Sequence, residues 1–366
     1  MKLGDLLKTF EEKLPLALKE KWDPCGLNLG GRSQQISSVL FAYDICHEVV
    51  RAAVHKKCQL IISHHPFRMK GDLNIDLDCY DGQTIALCLK NNIALYSCHT
   101  NHDASPFSLN NHYLHQLGLE NILPLASSPQ KLFKLVVFVP VAHSKKVMQA
   151  IFDAQGGTIG NYDECSFRTN GTGTFRGNEK SQPSIGKKHQ RTEVPEDRLE
   201  VLILEDKLSA VIKAMKTEHP YEEVAYDILA LENKRSDAGL GAIGEWKKTQ
   251  SQAQIIAQLK NIFHISSLRL VSNGPKKIRR VAICTGSGMS LMAAAVHHRA
   301  DLFITGDVKY HQAIEAKRHD LVVADVGHFY SEIAAVKILK NIFNDLFADK
   351  VKTHAYTRLR DAFTLV

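Results

Sequence analysis

The sequence lacks any long apolar run. Its longest apolar stretches, such as KLVVFVP and LEVLILE, have the length of β-strands, whereas a membrane-spanning helix needs roughly 18 or more apolar residues. The opening segment MKLGDLLKTFEEKL alternates charge with leucine at helical spacing and has no small-residue cleavage site, which favours a surface helix over a signal peptide. We therefore expect no membrane partner and a cytoplasmic location.

The eight cysteines include no Cys-x-x-Cys pair. This scattered pattern argues against a zinc ribbon and against a disulfide framework, and we expect mostly buried thiols. Concentrated positive charge is also missing: the net charge is +7, but the basic residues are distributed, apart from GKKHQR at 186–191. A nucleic-acid-binding face usually concentrates such charge, so nucleic acid is a disfavoured partner.

The chain has 366 residues, 44% of them hydrophobic and 23% charged, which is typical of a globular protein with two or three domains. Strand and helix patterns alternate over residues 1–130 and again over 233–366, which predicts parallel sheets with helices on their faces. The second of these segments is expected to close with one long helix from about Tyr330. Moreover, AAVHKKCQLIISHH (52–65) aligns without gaps on AAVHHRADLFITGD (294–307). We predict an α/β fold in which two similar three-layer halves form one host domain.

The middle segment, 131–232, has a different pattern. Its predicted elements are, in order, a strand, a helix, a turn-rich region, a strand, a helix and a strand. This order predicts an inserted ferredoxin-like α+β domain.

Histidines and acids follow three predicted strands of the host domain at their carboxyl ends. They are His64, His65, His99, Asp103, His328 and Glu332. Ligands bind at this edge of open α/β sheets. Histidine together with carboxylate suits zinc, iron, manganese, cobalt or nickel, and the lack of cysteine ligands disfavours a closed structural site.

The spacing favours two metal ions over one. His328 and Glu332 are four residues apart, so both can face one ion from the same side of a helix. His64 and His65 point to opposite sides of an extended chain, and a turn at Pro66 is needed for both to converge. Two ions would share a carboxylate, Glu332 or Asp103, and activate a bound water.

Two other features have less specific interpretations. The glycine-rich turn CTGSGMS (284–290) could expose backbone N–H groups to an anion, but it lacks the spacing of known phosphate loops, and we favour a plain tight turn. His112 and His115 are spaced for one helix face, and we interpret them as solvated.

Several ordered motifs resemble those of the NIF-three-like family, whose members are named GTP cyclohydrolase 1 type 2 homologues. The motifs are WDPCGLNLGG, SHHP, HTNHDAS, GLGAIGEW, TGDVKYH and DVGHFYSE, and the segment between the halves is similar to the extra domain of the longer bacterial members. The resemblance implies a dinuclear metal centre held by His64, His65, Asp103, His328 and Glu332. It also implies a toroidal homohexamer whose metal sites face the interior, with an insert that resembles small trimeric regulators.

One motif departs from the family pattern. Relatives usually show Asp-Asn-x-Gly where this chain has Asp23-Pro24-Cys25-Gly26. The change removes an amide side chain and a backbone N–H near the rim of the expected pocket.

The resemblance suggests a metal-dependent hydrolase acting on a nucleotide, with opening of the guanine ring of GTP as the reaction. His99 and His102 are candidates for proton transfer in that reaction. A second hypothesis is a non-catalytic protein that stores, delivers or senses metal and acts through partner proteins. A third is a clamp on a nucleic-acid duplex, whose binding would weaken steeply with salt.

Overall fold

The computed structural model describes residues 1–68, 75–128, 130–235 and 237–364. The chain forms two compact units, one built from residues 1–128 and 237–364 and the other from residues 130–235. Within these residues, no helix combines the length and the apolar character that a bilayer crossing requires.

The strands and helices are numbered in chain order. The strands are β1 Gly26–Leu29, β2 Ser38–Ala42, β3 Leu60–Ser63, β4 Ala94–Ser97, β5 Glu120–Ser127, β6 Leu132–Pro140, β7 Ser166–Arg176, β8 Arg191–Leu204, β9 Tyr226–Leu231, β10 Gly239–Ser251, β11 Arg269–Val271, β12 Lys277–Ile283, β13 Leu302–Thr305, β14 Val322–Asp325 and β15 Lys352–Ala355. The helices are α1 Leu3–Lys13, α2 His47–His55, α3 Tyr80–Lys90, α4 Thr100–Asp103, α5 Leu109–Gln116, α6 Ser144–Asp153, α7 Leu208–Glu218, α8 Gln252–Ile262, α9 Met292–His297, α10 Tyr310–Arg318, α11 His328–Glu332 and α12 Ala335–Phe347.

The first sheet has the order β1-β4-β3-β2-β15, with β15, β2, β3 and β4 parallel and β1 antiparallel at the edge. Alternation along β2 sends Val39 and Phe41 into a core with α1 and α12, and Leu40 and Ala42 into a core with α2 and α3. Each fully buried large apolar side chain contributes roughly 1.5–3 kcal/mol. Helices therefore cover both faces of the sheet.

The second sheet has the order β11-β14-β13-β12-β10-β5. Its centre, β12, β13 and β14, is parallel, and the outer pairs are antiparallel. Ile304 packs against the layer of α5 and α8, and its neighbour Phe303 packs against the layer of α9 and α10. The predicted α/β host with two three-layer halves is confirmed, although both sheets are mixed at their edges rather than wholly parallel.

Each half of the host unit contributes one strand that pairs in the sheet of the other half. β5 belongs to the first half along the chain but pairs with β10 in the second sheet. β15, near the carboxyl end, pairs with β2 in the first sheet. This exchange ties the two halves into one unit, so their strand ends stay in fixed positions.

The second unit contains β6, α6, β7, β8, α7 and β9 in chain order. Its antiparallel sheet has the order β7-β8-β6-β9. Val147 of α6 and Met215 of α7 are fully buried against apolar residues of β6 and β8. The strand and helix order agrees with the sequence pattern, while the ferredoxin-like classification stays a prediction.

The closing helix differs from the sequence expectation of one long helix from about Tyr330. The chain instead forms α11 and then α12. Gly327, with φ +85°, precedes α11 and turns the chain out of β14. Because left-handed backbone is inexpensive only for glycine, this position allows the helix to begin at His328.

Candidate metal centre

His64 and His65 follow β3 directly. Their backbone N–H groups still donate to Ala42 and Tyr43, at 3.2 and 3.1 Å, so the pairing of β3 with β2 continues past the strand end. The Ser63 hydroxyl then donates to the carbonyl of His65 at 2.6 Å, which closes the turn before Pro66. The two imidazole rings lie 5.0 Å apart, tilted by 39°. They converge, as the turn at Pro66 was expected to allow.

The next strand end, after β4, carries His99, His102 and Asp103. His102 is fully buried, and His99 and Asp103 are each 9% exposed. Nδ1 of His99 lies 3.1 Å from Oδ2 of Asp23, and Nε2 of His102 lies 3.1 Å from the carbonyl oxygen of Phe107. Thus α4 and the residue before it bring three titratable side chains to the same sheet edge as His64.

α11 contributes His328 and Glu332 from the second half. Nε2 of His328 lies 2.9 Å from Oε2 of Glu332, as their spacing predicted. The same oxygen lies 3.2 Å from Nε2 of His65, and Oε1 lies 3.8 Å from Nε2 of His64. Glu332 is 3% exposed. One buried carboxylate therefore faces histidines from both halves of the host unit.

Among the residues that the structure describes, there are three groups in which each side chain offers one potential ligand atom and these atoms lie within 4.8 Å of one another. They are His64, His65 and His99; His64, His102 and Asp103; and His65, His328 and Glu332. The structure thus brings together all the residues that the sequence proposed for metal binding and for proton transfer. Imidazole and carboxylate donors of this kind suit a divalent transition metal.

We refer to the seven side chains of these three groups as the cage. Ring nitrogens that face away from the cage lie against hydrogen-bond acceptors elsewhere in the chain. Nδ1 of His64 lies 3.0 Å from the carbonyl oxygen of Cys98, and Nδ1 of His65 lies 2.7 Å from Asp44. Nδ1 of His328 lies 2.6 Å from Asp307. Such contacts fix the orientation of each ring and raise the basicity of the nitrogen that faces inward.

The carboxylates determine the charge states within the cage. Burial alone would lower the pKa of His65, but Asp44 and Glu332 raise it to about 10. Glu332 is the main cause that raises the pKa of His328 to about 9. Burial would raise the pKa of Glu332, yet hydrogen bonds from the histidines hold it well below its usual range. The buried Glu332 carboxylate therefore stays ionised and stabilises positive charge on the histidines beside it.

The glycine-rich turn at 284–290 lines this cage. A Cβ atom on Gly286 would lie 2.0 Å from Oε1 of Glu332 and 3.3 Å from Nε2 of His328. The backbone N–H of Gly286 donates to Ser331 at 2.9 Å. The turn is thus tight, as expected. Because Gly286 has no side chain, there is room for the carboxylate of Glu332.

Comparison with known proteins agrees with this architecture. A family model described as Duf34/NIF3 (NGG1p interacting factor 3) matches residues 1–360. A relative from Halalkalibacterium halodurans is 35% identical over 329 residues, which cover 90% of this chain and 88% of the relative. A Bacillus subtilis relative is 32% identical over 366 residues, with coverage of 97% and 98%. Both relatives carry the name GTP cyclohydrolase 1 type 2 homolog.

This chain belongs to the Duf34/NIF3 family. Among solved structures, a Bacillus cereus protein related to NIF3 has a TM-score of 0.87 and 35% identity, covering 100% of this chain and 99% of its own. A Staphylococcus aureus protein has a TM-score of 0.77 and 28% identity with the same coverage. The resemblance seen in the sequence motifs is confirmed.

The departure Asp23-Pro24-Cys25-Gly26 lies beside the cage of this NIF3-family chain. Oδ2 of Asp23 accepts hydrogen bonds from the backbone and hydroxyl of Thr100, at 3.0 and 2.5 Å. Although burial opposes it, contacts from His99 and Thr100 hold the pKa of Asp23 well below its usual range. Asp23 thus anchors the segment that carries His99, with proline at the next position.

Sequence reasoning missed four contributors to the cage: Tyr43, Asp44, Gly286 and Asp307. The Tyr43 hydroxyl donates to Oε2 of Glu332 at 2.9 Å. Asp44 and Asp307 were available as signals, because each follows a strand at its carboxyl end, and Asp307 aligns with His65 in the internal repeat. The partners of a histidine are harder to infer than the histidine itself, since a lone aspartate after a strand has many uses.

Proposed function

We propose that this chain binds two divalent metal ions in the cage and acts as a metal-dependent hydrolase on a nucleotide. The observation that carries the proposal is the position of Glu332. Its Oε1 faces His64 at 3.8 Å, whereas its Oε2 faces His65 and His328 at 3.2 and 2.9 Å. A carboxylate whose two oxygens face different imidazoles is suited to bridge a pair of ions.

The donor set divides into two halves around that bridge. His65 and His328 would hold one ion, His64 and Asp103 the other, with Glu332 shared. Zinc, iron, manganese, cobalt or nickel fits these donors. When bound, such a pair lowers the pKa of water and stabilises developing negative charge. Asp44 and Asp307 would keep their histidines oriented toward the ions.

His99 is the better placed of the two histidines proposed for proton transfer. Its ring lies 5.3 Å from that of His65 and 5.4 Å from that of His64, and Asp23 contacts its Nδ1. In contrast, Nε2 of His102 already contacts the carbonyl of Phe107 inside the protein. We propose that His99 delivers a proton to the departing nitrogen when a guanine ring is opened.

An exposed indole supports a nucleotide as substrate. Trp22 is 60% exposed, and its ring lies edge-on to His99 at 5.9 Å. Stacking of a base on an aromatic ring contributes about 1–3 kcal/mol. A purine on Trp22 would lie beside the cage, which agrees with the GTP cyclohydrolase name that the relatives carry.

The direct test uses the full-length chain reconstituted with zinc, manganese or iron. We expect release of formate from GTP, loss of this activity in His65→Ala and a raised KM in Trp22→Ala. His115→Ala is the matched control, because that histidine is exposed and lies outside the three metal-binding groups. A nucleotide panel that yields no product with any of these metals would contradict the hydrolase proposal.

Metal storage, delivery or sensing is the second candidate. The enclosure of the cage favours it, since His64 is fully buried and Glu332 is 3% exposed. Stoichiometric metal binding that resists chelation, without turnover of any nucleotide, would support this alternative over the hydrolase.

We also propose that the chain forms the toroidal hexamer that its family resemblance implies.

A further inference from the structure

We propose that His102 is an additional ligand, through Nδ1, of the metal ion held by His64 and Asp103. The inference rests on the proposed metal centre. It replaces the proton-transfer role that the sequence suggested for this residue.

Three polar atoms at this point have no hydrogen-bond partner within the described part of the chain. They are Nε2 of His64, Nδ1 of His102 and Oδ1 of Asp103, and all three are buried. The three side chains each offer a ligand atom within 4.8 Å of the others. Buried polar atoms are normally satisfied. Three unsatisfied atoms from neighbouring side chains therefore point to a common cation.

The tautomer of His102 follows from its other nitrogen. Nε2 lies 3.1 Å from the carbonyl oxygen of Phe107. A carbonyl oxygen only accepts hydrogen bonds, so Nε2 carries the hydrogen, and Nδ1 of the neutral ring carries a lone pair. The same argument applies to His64, whose Nδ1 lies 3.0 Å from the carbonyl of Cys98. Both rings are held by a backbone acceptor in the way that metal-bound histidines usually are.

The arrangement of the two rings is consistent with a shared ion. The ring centroids of His64 and His102 lie 6.0 Å apart and the ring planes are inclined by 85°. Both residues are fully buried, and His102 belongs to the short helix that also carries Asp103. A proton carrier needs a free nitrogen and a path for exchange, whereas a ligand needs one fixed lone pair, which is what His102 offers.

With His102 as a ligand, the ion held by His64 and Asp103, here called the inner ion, would have a donor set that favours certain metals. Two imidazoles, the Asp103 carboxylate and the bridging Glu332 would give this ion two nitrogen and two oxygen donors. Such a set favours zinc, cobalt or nickel over magnesium or calcium, which prefer oxygen. We therefore infer that the inner position selects a borderline-soft ion.

Two substitutions separate the ligand role from a packing role. In His102→Gln the amide nitrogen can still reach the Phe107 carbonyl, but the ligand atom is lost. In His102→Asn the amide oxygen lies near the former Nδ1 position, while the contact with Phe107 is lost. The probe is cobalt(II), measured by titration, by its visible absorption bands and by X-ray absorption of the bound ion.

We expect His102→Gln to weaken binding of one of two cobalt ions by at least tenfold and to remove one imidazole nitrogen from its coordination shell. His102→Asn should retain two ions with shifted absorption bands, and His115→Gln should match the native chain. Native cobalt spectra and affinities in both His102 variants would overturn the inference. If the His102 variants behave like the native chain but His64→Gln loses an ion, the proposed metal centre stands without His102. If the native chain binds no cobalt, the proposed metal centre and the His102 ligand both fail.

Discussion

At the scale of single residues, the histidines of the cage are oriented by partners that are not among the proposed metal ligands. His65 and His328 lie against Asp44 and Asp307, and His64 lies against a backbone carbonyl. Each partner fixes one ring nitrogen, which leaves the other directed into the cage. The metal affinity of the site should therefore depend on these partners as well as on the ligands.

Asp44→Ala tests this dependence. We expect its metal affinity to fall by about 10- to 100-fold, because His65 loses the contact that orients its ring. Asp44→Asn retains an acceptor oxygen and should lose less. The affinities can be measured by titration against a competing chelator. Equal affinities for the native chain and both variants would show that Asp44 has no orienting role.

Gly286→Ala should impair metal binding for a different reason. The added Cβ would lie 2.0 Å from Oε1 of Glu332, so the carboxylate must move out of the cage. Gly118→Ala is a matched control, since Gly118 also has a positive φ, +72°, but no atom lies within 4 Å of its added Cβ. Both variants carry the backbone cost of roughly 1–2 kcal/mol.

Metal content and thermal unfolding distinguish the two effects. The control should be destabilised and still bind metal, whereas Gly286→Ala should lose metal as well. A Gly286→Ala chain that binds native amounts of metal would contradict the proposed position of Glu332.

The ligand candidates could be predicted from the sequence because they stand at strand ends, where hydrophobic periodicity stops. Tyr43 could not, since a tyrosine at the end of a buried strand usually serves packing. Nor did the sequence distinguish the roles of His99 and His102. The role of His102 depends on which of its ring nitrogens contacts the carbonyl of Phe107. Loop geometry of this kind cannot be inferred from the spacing of residues in the sequence.

At the scale of elements, the cage exists because six strands end at one place. β2, β3 and β4 in the first sheet, and β12, β13 and β14 in the second, each deliver a residue that belongs to the cage or contacts it, directly after the strand or from the following turn. The short helix α11 then holds His328 and Glu332 one turn apart. The sequence predicted these elements because their apolar periodicity is strong, but it missed the break between α11 and α12.

The second unit offers a prediction on pH. Nε2 of His219 contacts the carbonyl of Phe138 at 3.0 Å, and its Nδ1 accepts the backbone N–H of Tyr221 at 3.1 Å. Burial lowers the pKa of His219, because desolvation disfavours the charged ring. Protonation of Nδ1 would remove the acceptor for the Tyr221 N–H. The stability from this histidine is therefore present above its unfolded pKa, near 6.5, and is lost as pH falls through the folded value.

Hydrogen exchange at the Tyr221 amide can measure this effect. We expect faster exchange, relative to neighbouring amides, at pH 5 than at pH 7.5 after correction for intrinsic rates. His219→Asn can keep an acceptor near the Nδ1 position and does not titrate, so its protection should not change with pH in this way. The same pH response in both chains would assign it to another group.

At the scale of the whole molecule, the exchange of β5 and β15 between the two host sheets could not be predicted. Their pairing joins segments far apart in the chain, and periodicity describes only local structure. The alternation of strands and helices did predict the fold class, since few arrangements bury such elements on both faces of a sheet.

The exposed edge of the inserted sheet bears on assembly. β7 is an 11-residue edge strand whose residues are largely exposed, and Phe167 on it is 65% exposed. A long exposed edge tends to pair with another chain. Such pairing would join copies of this chain, and the family resemblance implies six of them, so we expect native mass spectrometry to find six copies of the 40.9 kDa chain. A monomer at micromolar concentration would contradict the proposed hexamer.

The central claim, a two-ion cage divided by Glu332, can be tested by anomalous diffraction from crystals of the zinc-loaded chain. We predict two peaks, one between Oε1 of Glu332 and His64 and the other between Oε2 and the pair His65 and His328. A single peak, or peaks away from this carboxylate, would contradict the account.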